Sequence, residues 1–528
     1  MKKKISPKNR DYYENILPQI ENLKRNDLIN SYLGNKGYSI YKVSLNEKII
    51  SFIKKELTVK PFTQGSIIES ESFPVYMESD KKIYVPRFWG INIFGYPKSL
   101  KINLGKSIDL KFNGELRDYQ ITVMDSYLKA IKFGSKEEEN SEGSALIELG
   151  CGLGKTVLGL KIIEQIKKKT IIFVHKTFLK NQWIERIKQY LPDARIGTIQ
   201  GQVIDIEDKD IVIAMIQSIS MKSYPDSLFD EFGLSLIDET HHISSQTFSN
   251  CLRKCMTLYS LGLSATMNRK DGLTHVFKMY LGDICNKQKK KAEEDNVLVK
   301  AIDYLVLDDD EYNEVARDFR GNVKYSTMLS KVSKLEYRSN FILNVIENEL
   351  KINKDQQIIL LGHQKNLLNY LFKAIELKNM TSVGYYIGGM KEKDLKLSES
   401  KQIILATYAM AAEGLDIPSL TTLILATPKS DIVQSVGRIL RTKHSQPLII
   451  DIIDQHECFL NQFKKRKAFY NEKNYKIIRT NNDKYIDYIK YIRKEEEFDE
   501  TEIWKELIPK SKGKKNENEN ENKCLIKI

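Results

Sequence analysis

Short, almost wholly apolar runs recur along the middle of the chain, and the residues between them carry apolar positions at helical spacing. In the first half of this region the runs lie at 145–149, 170–174, 211–215, 234–238 and 259–263. Continuous apolar runs are typical of strands in a parallel sheet that helices cover on both faces. The pattern therefore predicts an α/β lobe over residues 112–285, with one of its helices at 181–191.

A second set of apolar runs follows at 357–361, 383–387, 402–406, 422–426 and 447–451. These runs again alternate with helical patterns, although the two halves share no strict sequence repeat. We therefore expect a second lobe over residues 351–455. The predicted fold class is α/β, with two tandem lobes built on parallel sheets.

The region before the first lobe differs in composition. Residues 1–40 are rich in Lys and Asn and are expected to form a leader, whereas the β-prone text of 41–111 predicts a small N-terminal α+β domain. One segment of this domain is both aromatic and basic. Its side chains can stack on bases, but clustered aromatic residues are more often core, and we favour core for Tyr84, Arg87, Phe88 and Trp89.

Segments rich in charged residues lie between the two lobes and after the second lobe. A Lys-rich run begins at Asn286, so residues 286–350 are interpreted as a connector or insertion that includes a helix over 329–350. Residues 456–509 are expected to form a helical extension. The alternating Asn and Glu of 510–528 predict a disordered tail, because such a segment has too little apolar surface to bury.

Composition limits the classes of function. The 528 residues include 83 Lys and Arg against 70 Asp and Glu, a formal net charge of +13, which favours a polyanionic partner such as nucleic acid. No apolar run approaches the ~18–20 residues of a membrane span and no secretory signal is visible, so a cytoplasmic or nuclear protein is expected. The six cysteines are scattered, which favours core thiols over disulfides or a zinc site.

The first candidate site is the glycine-rich segment 149–156, which links an apolar run to a helical pattern. Glycines let the backbone curl so that its N–H groups point inward at a helix N-terminus, where they bind phosphate. In such a cradle Lys155 reaches the β- and γ-phosphates and Thr156 holds Mg²⁺. The segment predicts a nucleotide site, although Leu149 stands where the strict motif has Gly.

The second candidate site is the carboxylate pair at the end of the run 234–238. Asp238 and Glu239 fall at the carboxyl edge of the predicted sheet, where open α/β folds bind ligands. Asp238 can hold Mg²⁺ through its water shell, and Glu239 can deprotonate the attacking water. Cradle and carboxylates together predict a nucleotide hydrolase.

With these residues in place, the chain resembles the superfamily 2 helicases of the DExH branch over roughly residues 112–455. The segment 116–120 resembles the Gln motif, 149–156 motif I, 238–241 motif II and 264–266 motif III; 407–416 resembles motif V and 434–441 motif VI. The resemblance implies two RecA-like lobes with ATP bound between them. It also implies Mg²⁺ as cofactor and nucleic acid as partner.

The subtype follows from smaller details. Leu149 with Cys151 resembles the variant cradle of the XPB-like helicases, and the text 261–272 is similar to XPB-like and poxvirus transcript-release helicases. Met267 replaces the Pro of that pattern. Arg269 and Asp271 match the Arg-x-Asp element that this group associates with double-stranded DNA. The segment 73–90 resembles helicases of large DNA viruses, for which packaging in a virion is an option.

The resemblance assigns roles residue by residue. Binding of ATP is implied for Gln120, Gly150, Cys151, Gly152, Leu153, Gly154, Lys155, Thr156, Gly414 and Asp416. Catalytic roles are implied for Lys155, Asp238, Glu239, Gln434, Arg438 and Arg441. The two arginines are three residues apart and are expected to share a helical face, from which they stabilise charge on the transferring phosphoryl group. Coupling of hydrolysis to movement is implied for His241, Ser264 and Thr266.

Nucleic acid is expected to cross both lobes. Several residues lie at or just after the ends of predicted strands, as do the motifs that bind nucleic-acid phosphates. They are His175, Lys176, Thr177, Gln217, His363 and Thr407. Such contacts carry no base code, so binding is expected to be largely independent of sequence and to weaken as salt rises.

Together these features predict an ATP-dependent DNA helicase or translocase that serves viral-type transcription or repair. An RNA helicase is the alternative within the class, since the motifs do not distinguish the sugars. A non-catalytic nucleic-acid-binding scaffold and the motor of a restriction-type nuclease are alternatives from other classes. We find no convincing Asp…Glu-x-Lys nuclease cluster outside the motor, so cleavage would need a partner.

Overall fold

The computed structural model describes residues 7–61, 71–133, 143–150, 152–238, 245–267, 272–288, 296–413, 415, 417–440, 446–494 and 499–507. The chain divides into two compact units, Met1–Lys291 and Ala292–Ile528. Each unit is built around its own mainly parallel eight-stranded sheet. The expected fold class, two tandem α/β lobes, is confirmed.

The N-terminal part of the first unit is a five-stranded sheet in the order β5-β6-β2-β1-β7, with helices packed against it. Its elements are α1 Pro7–Arg25, β1 Ser31–Gly34, β2 Gly37–Tyr41, α2 Glu47–Glu56, β3 Thr58–Val59, β4 Phe73–Pro74, β5 Met77–Glu78, β6 Lys82–Val85, α3 Arg87–Phe94 and β7 Ser99–Leu100. The predicted leader 1–40 thus contributes a helix and two strands to this domain, because Ile16, Ile20 and Tyr38 are buried in its core.

The basic aromatic segment of this domain is core, as favoured from the sequence. Phe88 and Trp89 are buried, and Tyr84 is half-buried. The guanidinium of Arg87 is also buried and donates hydrogen bonds to the carbonyls of Thr257 (2.7 Å) and Leu258 (3.1 Å). Burial lowers the pKa of Arg87 to about 10. This side chain therefore ties the N-terminal domain to the first lobe.

The first lobe carries a sheet in the order β11-β10-β12-β9-β13-β14-β8-β15, parallel except for β11. Its elements are α4 Asp118–Ala130, β8 Ser144–Leu149, α5 Lys155–Ile166, β9 Thr170–Val174, α6 Thr177–Tyr190, β10 Ile196–Gln200, β11 Val203–Asp205, β12 Ile211–Met215, α7 Ile216–Met221, β13 Leu234–Asp238, α8 Ser245–Lys254, β14 Tyr259–Ser264, α9 Thr274–Leu281 and β15 Ile284–Gln288. The connector was predicted to begin at Asn286, which is too early, because Asn286 belongs to β15 and β15 pairs with β8 in the sheet of the first lobe. An edge strand is only half-covered, so it tolerates polar residues.

The second lobe carries a sheet in the order β18-β19-β17-β20-β21-β16-β22-β23, parallel except for β23. Its elements are β16 Leu298–Tyr304, α10 Asp310–Asn313, α11 Tyr325–Val332, α12 Glu336–Ile352, β17 Gln357–Gly362, α13 Lys365–Leu377, β18 Val383–Tyr386, α14 Glu392–Glu399, β19 Ile403–Thr407, α15 Tyr408–Glu413, β20 Leu420–Leu425, α16 Val433–Ile439, β21 Leu448–Asp454, α17 Glu457–Glu472, β22 Lys476–Asn481, α18 Asn482–Lys494, α19 Glu500–Ile503 and β23 Lys505–Glu506.

Two expectations about the borders of this lobe are wrong. Residues 286–350 are not a connector, because β16 lies inside the sheet between β21 and β22. The predicted helix over 329–350 is two helices, α11 and α12, that are separated at Ser333. Residues 456–509 are not purely helical either, since β22 extends the sheet.

Candidate ATP and nucleic-acid sites

The glycine-rich turn lies between β8 and α5, at the carboxyl end of a strand. Gly152 and Gly154 have φ values of +76° and +73°, a left-handed conformation that glycine adopts without a side-chain clash. Gly154 caps α5, so the first N–H groups of the helix face the turn. The N–H of Gly150 donates to the carbonyl of Gln288 (3.0 Å), which anchors the turn to β15. The geometry fits a phosphate cradle.

Two side chains of α4 hold this turn from one side. The amide nitrogen of Gln120 donates to the carbonyls of Leu153 and Gly154 at 3.2 Å each, and its carbonyl oxygen accepts from the N–H of Arg117 at 3.0 Å. The hydroxyl of Tyr119 donates to the carbonyl of Leu153 at 3.0 Å. A Cβ at position 154 would lie 2.6 Å from the Gln120 amide nitrogen, so a side chain there would displace this amide from its hydrogen bonds to the turn.

Gln120 is therefore a support of the cradle. Its side chain is buried at 3% exposure, and both its donor and its acceptor are hydrogen-bonded within the chain. The adenine contact expected from the sequence remains a prediction. The contact to Leu153 and Gly154 was not foreseen, since these residues are 33 and 34 positions away in the chain.

Asp238 lies at the carboxyl end of β13, as predicted, and is 6% exposed. One of its carboxylate oxygens accepts a hydrogen bond from the indole N–H of Trp183 at 2.9 Å. The Trp183 side chain is 1% exposed and packs close to Gly159, where a Cβ would lie 3.2 Å from the indole ring. Trp183 therefore fixes the orientation of the carboxylate.

Trp183 was missed in the sequence. It occupies the buried face of α6 with Leu179 and Ile187, and this spacing of four residues predicts only a core position. The sequence indicates only that Trp183, if buried, needs a hydrogen-bond acceptor for its indole N–H. The acceptor itself is revealed only by the neighbouring strand.

Motif III lies beside the carboxylate. Strand β14 pairs with β13 in parallel, with Leu263 opposite Asp238, so Ser264 follows at the same edge. The buried hydroxyl of Ser264 donates to the carbonyl of Thr266 at 2.6 Å. Two of the three predicted coupling residues, Ser264 and Thr266, are thus bonded to each other next to Asp238.

Four of the residues predicted to hold nucleic acid in the first lobe also meet at this edge. His175, Lys176 and Thr177 follow β9, and Gln217 follows the neighbouring parallel strand β12. The amide nitrogen of Gln217 donates to the backbone carbonyl of His175 at 2.9 Å. His175 is buried at 8% exposure, so Lys176 and Thr177 are the more accessible members of this group.

In the second lobe His363 and Thr407 lie at the ends of neighbouring strands, since Gly362 pairs with Thr407. The hydroxyl of Thr427 accepts from the backbone N–H of His363 at 3.1 Å and lies 2.8 Å from its Nδ1. Burial and the nearby charge of Lys429 lower the pKa of His363 to about 4. His363 is therefore a neutral hydrogen-bonding group near pH 7 and does not supply a cation for phosphates.

This pKa predicts a pH-dependent contribution to stability. An unfolded histidine takes up a proton near pH ~6.5, whereas His363 in the folded chain stays neutral down to about pH 4. The free energy of unfolding should therefore fall as pH drops from ~6.5 to ~4, by about 3 kcal/mol from this residue. In urea titrations across this window, the stability of His363→Gln relative to the wild type should rise as pH falls. Parallel curves would refute the lowered pKa.

Arg438 lies on α16 together with Gln434. Its guanidinium donates to the carbonyl of Ala411 at 3.0 Å and to that of Leu415 at 2.8 Å. These bonds join motif VI to the segment that resembles motif V. The described helix ends at Ile439, so the expected common face of Arg438 and Arg441 remains a prediction.

Several predicted site residues lie outside the described residues, and their roles remain predictions. They are Cys151, Glu239, His241, Arg269, Asp271, Gly414, Asp416 and Arg441.

The oxygen atoms of Thr156 and Asp238 are ligands that suit a hard cation. The Thr156 hydroxyl and the Asp238 carboxylate offer oxygen ligands of the kind Mg²⁺ takes, with phosphate and water completing its shell. Within the described ranges, no group of three or more His, Cys, Asp or Glu residues forms a metal site of its own. Cys251 and Cys255 are free and buried, as expected for core thiols. No helix in the described part of the chain is long and apolar enough to cross a membrane.

A phosphate cradle and a buried carboxylate at one edge of a parallel sheet, followed by a second lobe of the same architecture, define a nucleotide-hydrolysing motor fold. Two family models match the chain: Type III restriction enzyme, res subunit, over residues 113–269, and Helicase conserved C-terminal domain, over residues 341–443.

Relatives from viruses extend the similarity over most of the chain. A protein named as ATP-dependent RNA helicase L396 of Acanthamoeba polyphaga mimivirus is 34% identical over 84% of this chain and 85% of its own length. A protein named as helicase 161L of Invertebrate iridescent virus 6 is 24% identical over 83% of this chain and 99% of its own length. The chain belongs to the superfamily 2 helicases, which use ATP hydrolysis to act on nucleic acid.

Proposed function

We propose that this protein is an ATP-driven translocase that moves along nucleic acid and separates or displaces bound strands. The observation that carries the proposal is the strand order of the first lobe. The cradle follows β8 at one side, Lys176 and Thr177 follow β9 at the other, and Asp238 and Ser264 are the last residues of the two strands between them. A change at the nucleotide can thus reach the nucleic-acid side through two neighbouring strand ends.

The proposed chemistry is in-line attack of water on the γ-phosphate. The N–H groups of the turn and Lys155 bind the phosphates, while Thr156 and Asp238 hold Mg²⁺, which neutralises phosphate charge when bound. Glu239 takes the proton of the attacking water. The second lobe contributes Gly414 and Asp416 to the nucleotide, and Arg438 and Arg441 to the developing charge. Gln434 supports the closed state, and His241 links hydrolysis to Ser264 and Thr266.

We propose DNA as the track and viral-type transcription or repair as the process. The support is the resemblance of Leu149, Cys151, Arg269 and Asp271 to the XPB-like and transcript-release group. The second candidate is RNA, which is favoured by the names of the mimivirus relative and of a 26% identical African swine fever virus protein, both named as ATP-dependent RNA helicases.

The two tracks are distinguished by ATP turnover of the full chain with double-stranded DNA, single-stranded DNA or RNA at one fixed salt concentration. We expect the largest stimulation with DNA, and a loss of stimulation as salt rises because phosphate contacts dominate. Stronger stimulation by RNA would overturn the choice of DNA. Turnover that no polynucleotide changes would contradict the proposed function itself.

A further inference from the structure

The segment between β16 and α11 presents an aromatic ring to solvent. Phe319 is 84% exposed, although the hydrophobic effect favours burying a ring of this size. It lies at the tip of the segment, which we call the Phe319 loop and define as residues 316–324. Single exposed apolar residues are common, so exposure gains meaning only from the structure around the ring.

The Phe319 loop is held in a defined conformation. One carboxylate oxygen of Asp318 accepts the backbone N–H groups of Arg320 and Asn322, each at 2.9 Å. The N–H of Asp318 donates to the carbonyl of Asn322, and that of Lys324 to the carbonyl of Ala316, both at 2.8 Å. These bonds close the loop on itself, so the ring extends from a hydrogen-bonded base.

The tip is positively charged. The guanidinium of Arg320 lies 5.2 Å from the centre of the Phe319 ring, and Arg317 and Lys324 lie beside it in the same loop. The carboxylate of Asp318 is engaged by the loop backbone. Of the nearby acids, Asp308 to Glu311 lie in or before α10, which is bound to the end of β16 by the hydroxyl of Tyr312 donating to the carbonyl of Tyr304. Glu314 follows α10, and its carboxylate lies 3.8 Å from the ammonium group of Lys331.

The Phe319 loop also lies at the edge of the second lobe where nucleic acid is expected to bind. It follows β16 at the carboxyl end of the parallel sheet, where His363 and Thr407 lie. Tyr325, directly after the loop, donates its hydroxyl to the carbonyl of Pro428 at 3.2 Å. Pro428 adjoins Thr427, the hydrogen-bond partner of His363. Hydrogen bonds thus connect the base of the loop to a residue expected to contact nucleic acid.

We propose that Phe319 stacks on an unpaired base of the nucleic-acid strand bound to this edge, with Arg317, Arg320 and Lys324 directed to its phosphates. An exposed ring with an adjacent guanidinium suits any base, because every base has a π-face, and the cations complement the polyanion. The inference rests on the proposed function only in that a strand must bind at this edge. It adds a base contact to a set of phosphate contacts.

The test measures the dissociation constant of a fluorescently labelled single-stranded oligonucleotide, as DNA and as RNA, for the full chain. Phe319→Ala should weaken binding of the preferred strand by about 5- to 100-fold, the usual loss for one stacking contact. Phe319→Trp should bind within about 2-fold of the wild type, since indole also stacks. The matched control is Leu377→Ala, which alters an equally exposed residue (84%) at the end of α13, near the opposite edge of the same sheet.

Photocrosslinking supplies an independent readout. An oligonucleotide with a 4-thiothymidine or 4-thiouridine base should crosslink at Phe319 in the wild type and lose that crosslink in Phe319→Ala. If the wild type binds the strand but Phe319→Ala binds equally well, the stacking inference is wrong and the proposed function stands. A Trp variant as weak as the Ala variant would also overturn it. If the wild type binds neither strand, the proposed function fails first.

Discussion

The Glu239→Gln variant is expected to turn over ATP about 10²- to 10⁴-fold more slowly than the wild type. Glutamine keeps the size and hydrogen-bonding capacity of the side chain but cannot accept a proton from the attacking water. Nucleotide affinity should change little, because the phosphates are bound by the cradle. The measurement is kcat at saturating polynucleotide, together with the binding of a fluorescent ATP analogue.

Glu207→Gln is the matched control for this substitution. Glu207 is exposed in the turn that precedes β12, at the edge of the sheet opposite to the site, and its replacement should leave kcat unchanged. An equal kcat for Glu239→Gln and the wild type would show that another group acts as the base. A loss of both kcat and ATP binding would instead indicate a damaged site.

The Trp183→Phe variant is expected to raise the Mg²⁺ concentration needed for half-maximal ATP turnover by about 10- to 100-fold, as is common when the hydrogen-bond partner of a metal-binding side chain is removed. Phenylalanine retains an aromatic ring against Gly159 but lacks the N–H that donates to Asp238 at 2.9 Å. The carboxylate then loses one restraint on its orientation. The measurement is ATP turnover as a function of Mg²⁺.

A positioning role and a merely structural role differ in this assay. Trp89→Phe makes the same substitution at a buried position of the N-terminal domain and should not shift the Mg²⁺ dependence. If Trp183→Phe lowers the melting temperature but leaves the Mg²⁺ dependence unchanged, Trp183 serves packing alone. Recovery of turnover at high Mg²⁺ is the result that our account requires.

The strands that form the lobes were predictable because they are buried on both faces. The runs at 170–174, 211–215 and 234–238 coincide with β9, β12 and β13, whose residues are all buried. A parallel strand that is covered by helices has no solvent-exposed face. Its ends therefore coincide with the change from apolar to polar residues in the sequence. The strand ends in turn placed the cradle, Asp238 and Lys176 at one edge.

The strands at the borders of the lobes were not predictable from the same pattern. β15 is an edge strand with half-exposed residues, and its Asn and Lys read as part of a charged connector. β16 directly follows that charged run, and its position between β21 and β22 depends on pairing with residues far along the chain. Local pattern carries no information on such long-range pairing.

The support of the site was equally hidden. Trp183 was missed and Gln120 was expected to contact adenine, whereas their polar atoms bind Asp238 and the carbonyls of the cradle. Hydrogen bonds of this kind depend on the distance and angle between separate elements. The residue type indicates that a buried hydrogen-bond donor needs an acceptor. Only the fold shows which group is that acceptor.

Whether ATP hydrolysis drives movement on nucleic acid is decided by measuring displacement of a labelled strand from a partial duplex by the full chain. We expect displacement by the wild type with ATP and Mg²⁺, and none with a non-hydrolysable ATP analogue or with Glu239→Gln. Binding of the duplex by the wild type with neither ATP hydrolysis nor displacement, on DNA or RNA, would contradict the account and identify a scaffold.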